Sequence, residues 1–358
     1  MPTNGDFIQR HAEAVAIKNE VTSIHIVSDK NTKIFIDITD EIINDVRTII
    51  GYVKFTKNPL LKWLRFIQAF RKILKKIKAF DVVHVNRIYP FGIFALYLKH
   101  SSKKPFIISE HWTGLLKEHP ATLSFFEKFI SKNIVRNAAF VCPVSQNLAD
   151  SMTSLGFKGN YRIVPNVVDT TLFVPKSSLK NQFTLLHVSN MLDEHKNISG
   201  ILHVVGELKK SIPDFRFILI GSNSEKYINQ IIELSLQDII EVIPQIEHQK
   251  IAKFMQETDA FVLFSNYENL PCVVLESFSC GLPVIATDVG GISEFFPHNF
   301  GYLIPKNDTQ KLKETILHFY KSNTDYSSSK MHQYVENNFS RDVICEMLSS
   351  CYHNALKI

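Results

Sequence analysis

Residues 268–294 read ENLPCVVLESFSCGLPVIATDVGGISE and follow the apolar run Ala260-Phe-Val-Leu-Phe-Ser265. The run reads as a strand, Asn269-Leu270-Pro271 as a tight turn, and the residues beyond as a helix. Pro271 suits the first helical position, where its missing N–H leaves no bond unmade. A helix start presents free backbone N–H groups and the positive end of the helix dipole, a place for an anion. Glu268 and Glu276 stand eight positions apart, slightly more than two helical turns. Glu276 therefore falls on the helix face beside the groove, and Glu268 stays at its mouth. A carboxylate near a phosphate cradle suits a sugar ring, and a second, deeper one suits the vicinal hydroxyls of a ribose. The pattern points to a nucleotide-sugar site. Two surface glutamates around a helix cap would be the plain alternative, but a strand before and a Gly-Leu-Pro strand after weigh against it.

This stretch resembles the retaining glycosyltransferases of family 4, the group 1 glycosyltransferases, in which two glutamates separated by seven residues lie beside the donor. The likeness extends along most of the chain and includes the segment Cys280–Thr287. It implies that Glu268 lies near the transferred sugar, that Glu276 holds the nucleotide ribose, and that backbone amides around Asn269, Leu270 and Pro271 touch sugar and phosphate. Lys196, between a strand and a helix, occupies a loop that in the family carries cations neutralising the donor pyrophosphate. Positive charge placed where negative charge grows lowers a barrier more than it tightens ground-state binding. Asn190 stands in the donor-site region where the family often has an arginine, so a second cation is not evident and Lys196 acts alone. His111, in Glu110-His-Trp-Thr-Gly114 after the strand Pro105–Ser109, corresponds to a histidine facing the transferred sugar, through its carbonyl or its ring. His84 and Asn86 are weaker candidates. Gln245 and Ile246 occupy the place where relatives contact the base through backbone atoms. Gly5 corresponds to a Gly-containing loop over donor and acceptor. Gly290 and Gly291 read either as a close backbone approach or as a plain turn.

The chain has 358 residues, which makes two domains the natural expectation. Its 45% hydrophobic and 21% charged content is that of a globular protein. Five cysteines form neither a CxxC pair nor an even framework, so reduced thiols are expected. No run approaches eighteen apolar residues, and the N-terminus lacks a basic region followed by an apolar one. A cytoplasmic protein is the expectation.

Strand and helix patterns alternate almost throughout, which favours parallel sheets covered by helices. Strands are expected at 23–28, 81–86, 105–109, 140–144 and 162–164, then at 184–189, 216–221, 240–243, 260–265 and 284–287. The polar segment Pro175–Gln182 reads as a linker. The family likeness implies an α/β fold of GT-B architecture, with two Rossmann-like domains facing across a cleft. Residues 1–170 would form the acceptor-binding domain, 171–338 the nucleotide-sugar-binding domain, and 339–358 a helix returning to the first domain. The first strand of the N-terminal domain is missing from the sequence, which opens on a loop and the helix Phe7–Ile17. That is the reading of a chain shortened ahead of residue 1, the alternative being a true variant with an impaired first domain.

The net charge of +5 is unevenly spread: residues 46–80 carry ten Lys or Arg and no acid. Within them Leu60–Lys78 places Leu60, Leu64, Ile67, Phe70, Leu74 and Ile77 at near-helical spacing, with Lys62, Arg65, Lys72 and Lys76 largely on another face. Such a helix can lie on an anionic membrane, or simply be a solvated helix packed on its own domain. Nucleic acid is not expected, since no recognition module accompanies the patch.

No Asp-x-Asp, zinc-spaced histidine pair, phosphate-loop lysine motif or GxGxxG occurs. The expectation is therefore a metal-independent retaining glycosyltransferase of hexosyltransferase type, without cofactor, using a nucleoside diphosphate sugar. Surface polysaccharide or glycolipid synthesis on a lipid-linked acceptor, peripheral at the inner face of the membrane, is the physiological expectation. Two other classes stay open: a non-catalytic nucleotide-sugar-binding partner protein, and a sugar-nucleotide epimerase.

Overall fold

The structure is a computed structural model that describes residues 6–118, 123–176, 182–212, 214–322 and 326–358. Gly5 and residues 177–181 of the expected linker lie outside the described residues.

The first half runs α1 (Asp6–Val15), β1 (Thr22–Asp29), β2 (Ile36–Ile43), β3 (Val46–Lys54), α2 (Pro59–Leu74), β4 (Val83–Asn86), α3 (Gly92–Ser102), β5 (Phe106–Glu110), α4 (Phe125–Asn137), β6 (Phe140–Pro143) and α5 (Gln146–Ser154). Strands β4, β5 and β6 form a parallel sheet in that order, and β1, β3 and β2 a second sheet in which β3 is parallel to β1 and antiparallel to β2. The expected strand over 162–164 is not one. Tyr161 makes an isolated bridge to Val141, and Arg162 and Val164 donate backbone N–H groups to Val141 and Pro143 as an extended segment beside β6. Strands β2 and β3 went unread, although Asn44 and Asp45 take the positive φ values (48° and 63°) of a two-residue hairpin turn.

At the start of helix α2 the Asn58 side chain accepts from the N–H groups of Leu60 and Leu61, and Pro59 opens the helix. Its buried face is not the stripe expected from spacing. Phe66, Ala69, Phe70 and Ile73 pack inward, while Leu60 and Leu64 are 76% and 56% exposed.

The second half runs β7 (Phe183–Ser189), α6 (Asp193–Lys196), α7 (Ile198–Leu208), β8 (Phe215–Gly221), α8 (Ile228–Glu233), β9 (Ile240–Ile243), α9 (His248–Glu257), β10 (Ala260–Leu263), α10 (Cys272–Ser279), β11 (Val284–Thr287), β12 (Gly301–Ile304), α11 (Thr309–Lys321), α12 (Ser328–Phe339) and α13 (Arg341–Ala355). Its six strands are all parallel, in the order β12-β11-β10-β7-β8-β9. The order reverses at β7/β10, the place where an open α/β sheet leaves a crevice at its carboxyl edge. Buried runs such as Leu185-Leu186-His187-Val188 and Ala260-Phe261-Val262-Leu263 reflect helices on both faces.

Helix α13 carries the chain back to the first half. Ile344, Leu348 and Cys351 share a core with Ala14 and Val15 of α1 and with Ile107, Phe140 and Cys142 of the β4-β5-β6 sheet. The Tyr352 hydroxyl lies 2.7 Å from His84 Nδ1. All five cysteines are free thiols.

Candidate active site

The loops after β10 and β11 close on each other at the carboxyl edge of the second sheet. Thr287 Oγ1 donates to the Ser265 carbonyl at 2.7 Å, and Gly291 N–H to the Asn269 carbonyl at 2.9 Å. Gly290 has φ +60°, and a Cβ there would stand 1.7 Å from the Glu268 carbonyl oxygen, so only glycine fits. The pair Gly290-Gly291 is thus a close backbone approach.

This loop holds Glu268 buried at 4% exposure. Its carboxylate accepts from Ser265 Oγ at 2.7 Å and pairs with the buried Lys196 ammonium through a short contact. Lys196 ends α6, which Asn197 terminates in the left-handed conformation (φ 51°) while its side chain caps α7. The Asn266 backbone N–H donates to the His195 carbonyl and its side-chain amide to the Glu194 carbonyl, tying the two loops together. His195 stacks on Tyr267 with ring centroids 4.3 Å apart and brings Nε2 to 3.4 Å from Glu268. Burial alone would push the Glu268 carboxyl up, but Lys196 and His195 outweigh it and hold the group at about 2.

Hydrogen bonds run from the first half of the chain to both of these loops. Asn269 donates its side-chain amide to the His111 carbonyl at 2.6 Å, and Asn166 donates to the Leu270 carbonyl at 2.7 Å. Asn166 Oδ1 is also 3.1 Å from His111 Nδ1. Farther along, the Glu294 carboxylate accepts from the first two N–H groups of α5, those of Gln146 and Asn147, each at 2.7 Å. His111 itself is positioned by Glu110. That buried carboxylate accepts from the backbone N–H groups of Ile88, His111 and Trp112, joining the loops after β4 and β5. The His111 ring packs against Phe7 at 4.5 Å and His11 at 5.2 Å, and burial keeps it neutral, its pKa well below the ordinary value.

Glu276 sits one turn into α10, 2% exposed, and its Oε1 is paired with Arg10 Nη1 at 2.6 Å. Arg10 comes from α1, so this pair also joins the two halves. The cap residue of α10 makes no side-chain capping bond. Pro271 is the cap residue (φ −69°, ψ 120°), not the first helical position, which Cys272 takes.

The structure therefore brings Glu268, Lys196, His111, Asn269, Leu270, Pro271 and Glu276 to one junction. Asn190 is exposed and its side chain accepts from Leu192 N–H, while Ile246 lies half-buried after β9. His84 is engaged through both ring nitrogens, by Tyr352 and Ser109, and is a bracing residue. Arg10, Asn166 and His195 were not legible as site residues. Their partners lie 266, 104 and 73 positions away, and the only local signal was an Arg-His pair on the inward face of a short helix. Among the described residues, three buried polar atoms here have no hydrogen-bond partner: His111 Nε2, Asn269 Oδ1 and Asn266 Oδ1. Among the described residues no cluster of three metal-ligating side chains occurs.

Comparison with known proteins identifies the family. The model of "Glycosyltransferase Family 4" matches residues 23–172 and that of "Glycosyl transferases group 1" residues 169–341. A Bacillus subtilis (strain 168) glycosyltransferase assigned to teichuronic acid biosynthesis is 25% identical over 276 residues, 72% of this chain and 67% of that one. A human phosphatidylinositol N-acetylglucosaminyltransferase chain is 26% identical over 195 residues, 53% of this chain and 40% of the human one. The chain thus spans 40–67% of the length of these two relatives. Among solved structures, sucrose-phosphate synthase from Thermosynechococcus elongatus superposes with a TM-score of 0.81 at 20% identity, covering 98% of this chain and 92% of that one. The Anabaena protein HepE in complex with UDP-glucose gives 0.69 at 20% identity, covering 84% and 85%. The fold is GT-B, and the two matched models together take in nearly the whole length: the chain belongs to the group 1, family 4 glycosyltransferases.

Proposed function

We propose that the protein transfers a sugar, with retention, from a nucleoside diphosphate sugar to an acceptor hydroxyl, in the cleft between a domain of residues 1–170 and one of residues 171–338. The observation that carries this reading is the junction itself. An ion-paired carboxylate, a helix start and a neutral histidine converge there, beside the buried His111 Nε2, Asn269 Oδ1 and Asn266 Oδ1, which have no partner among the described residues. Sugar and ribose hydroxyls would satisfy those atoms, which a native interior seldom leaves unpaired.

In this reading the start of α10 and Lys196 receive the diphosphate and take up charge as the bond from the sugar C1 to phosphate oxygen breaks. Glu268, held at about 2, is a weak base. Its part is to accept from the sugar hydroxyls and, through Lys196, to fix the cation. The acceptor hydroxyl attacks C1 on the face the phosphate leaves and gives its proton to the departing phosphate oxygen. The neutral His111 faces the same sugar. Glu276 takes the ribose hydroxyls, and Ile246 with Asn190 borders the nucleotide. No step calls for a metal.

HepE was solved with UDP-glucose, and starch synthase IV of Arabidopsis thaliana with ADP and acarbose, which supports a nucleoside diphosphate donor. Relatives named for phosphatidylinositol, teichuronic acid and a diphosphopolyprenol support a lipid-linked acceptor in glycolipid or surface polysaccharide synthesis. Among the described residues no helix is long and apolar enough to cross a membrane. The exposed Leu60, Leu61 and Leu64, with exposed Lys57 and Lys62 around them, support peripheral contact with an anionic bilayer instead. Cosedimentation with anionic but not neutral liposomes is the expected result, and equal sedimentation would remove this part. A thermal-shift panel of nucleoside diphosphate sugars, followed by anomeric analysis of the product by NMR, tests the whole reading. A stabilising donor and a retained anomeric centre are expected; an inverted product, or an epimerised donor without acceptor, overturns it.

A further inference from the structure

We propose that Arg87, seated on Trp112 beside the reacting centre, recognises an anionic group of the acceptor: a phosphate or a carboxylate close to the hydroxyl that receives the sugar. This rests on the transfer reading above and deepens it by naming the chemical class of the acceptor.

Arg87 follows β4 at the carboxyl edge of the β4-β5-β6 sheet, the edge at which an α/β sheet binds ligands. Its backbone has φ 103°, in a region that residues other than glycine seldom adopt. Such strain persists only where the surroundings fix it, and it collects at ligand sites. Here the fixing bonds are plain. The Arg87 N–H donates to the Ser109 carbonyl at 2.9 Å, and the Ile88 N–H donates to the buried Glu110 carboxylate at 3.0 Å. The same carboxylate accepts from the N–H groups of His111 and Trp112. The loop carrying Arg87 is therefore bonded to the loop carrying His111, the residue assigned to the transferred sugar.

The side chain is placed as well. The guanidinium carbon lies 4.3 Å from the centre of the Trp112 ring, an attraction that positions a cation without neutralising it. The charge of Arg87, with the three backbone bonds, opposes the upward push of burial on the Glu110 carboxyl. Those bonds occupy the carboxylate, and among the described residues no acid forms an ion pair with Arg87. Arg87, Tyr89, Glu110 and Trp112 line a cavity of about 70 Å³ that reaches α4 at Glu127 and Ser131. That is the room of a few waters, enough for a phosphoryl or carboxylate group. Glu127, the second acid on its wall, accepts from the Ser124 N–H and hydroxyl at 3.0 and 2.8 Å. A guanidinium offers paired N–H donors that match two oxygens of one anion. The donor's diphosphate is assigned to the start of α10 and Lys196, so the anion met at Arg87 belongs to the acceptor.

The chain has two tryptophans, and Trp63→Phe leaves Trp112 alone to report on the cavity. The full chain with Trp63→Phe is titrated with n-octyl phosphate, n-octyl glucuronide and neutral n-octyl glucoside, each below its micelle concentration, while Trp112 emission is followed. At least one anionic probe should bind about tenfold or more tighter than the glucoside. Whichever of the two binds tighter tells phosphate from carboxylate. Adding Arg87→Gln should abolish that preference, and Arg87→Lys should restore part of it. Arg87→Gly, which the 103° φ suits, is a second variant expected to lose the preference with the loop kept. Circular dichroism checks that every variant is folded. Equal or absent response to all three probes, or a preference that survives both Arg87→Gln and Arg87→Gly, overturns the inference. UDP, ADP and GDP are titrated into the same proteins, and their affinities should not change with Arg87. Equal loss of nucleotide and anionic probe would place Arg87 on the donor and overturn the acceptor role. A wild type that binds no nucleotide sinks the transfer reading and this role with it, whereas a missing anion preference with nucleotide binding intact sinks this inference alone.

Discussion

The side-chain amide of Asn269 donates to the backbone carbonyl of His111 at 2.6 Å, joining residues 158 positions apart across the cleft. The bond sets the loop after β10 against the loop after β5, so the groups assigned to leaving-group and sugar contacts share one frame. Asn269→Ala removes it and leaves a half-buried carbonyl without that donor, a loss of about 1–3 kcal/mol. In the proposed site the nucleotide meets the start of α10 and its backbone amides, which this substitution leaves in place. We therefore expect kcat to fall about tenfold or more while nucleotide Kd stays within about threefold. A parallel change in both would place Asn269 in nucleotide binding instead.

Glu268 and Lys196 form a buried ion pair. Removing one partner strands the other charge, which costs about 3–5 kcal/mol, whereas removing both costs less than the sum. Chemical denaturation of Glu268→Gln, Lys196→Met and the double variant should give a coupling above about 1 kcal/mol. Additive losses would show that the pair is not coupled in solution.

Gly290 stands in the left-handed region with no room for a methyl group against the Glu268 carbonyl. The backbone conformation alone costs an alanine about 1–2 kcal/mol, and the clash forces the Glu268 loop to shift. Gly290→Ala should lower both Tm and transfer rate. A variant with wild-type Tm and rate would contradict the close approach.

Burial lowers the pKa of His84 to about 3 and of His187 to about 4, and lowers His11 and His111 as well. Each is neutral in the fold but takes a proton when unfolded below about pH 6.5. The unfolded state then binds more protons, so stability is full above that pH. It falls on acidification by about 1.4 kcal/mol per pH unit for each of His84 and His187, and His11 and His111 act in the same direction. Glu268 adds a second loss lower down, beginning near pH 4.5 and ending as its folded value near 2 is passed. Urea titrations between pH 7.5 and 5 should show the first of these. A flat profile would mean that the buried histidines are not held neutral.

Much of this arrangement was legible because it is local. Strands β9 and β11 begin and end where the apolar runs do, and the two glutamates carry their geometry in a spacing of eight. What was missed depends on distant partners or on competing patterns. In β2 the outward face is Asp37, Thr39 and Glu41, so the strand does not read as an apolar run, and its turn at Asn44-Asp45 lacks glycine. In α2 leucines outnumber the positions the core can take. The packed face follows Phe66, Phe70 and Ile73 because Phe91 and Phe94 of the neighbouring segment stack on the phenylalanines. Arg10 gave no sign of its partner, since nothing near it in sequence is part of the second domain.

The central claim is that Glu268 and Glu276 flank a helix start that grips an activated sugar's nucleotide. Calorimetric titration of wild type and Glu276→Ala with the nucleoside diphosphate that wild type binds tests it most directly. Loss of the ribose bonds should weaken binding about ten- to hundredfold, the equivalent of a charged hydrogen bond. An affinity equal to that of wild type would remove Glu276 from the nucleotide site and contradict the account.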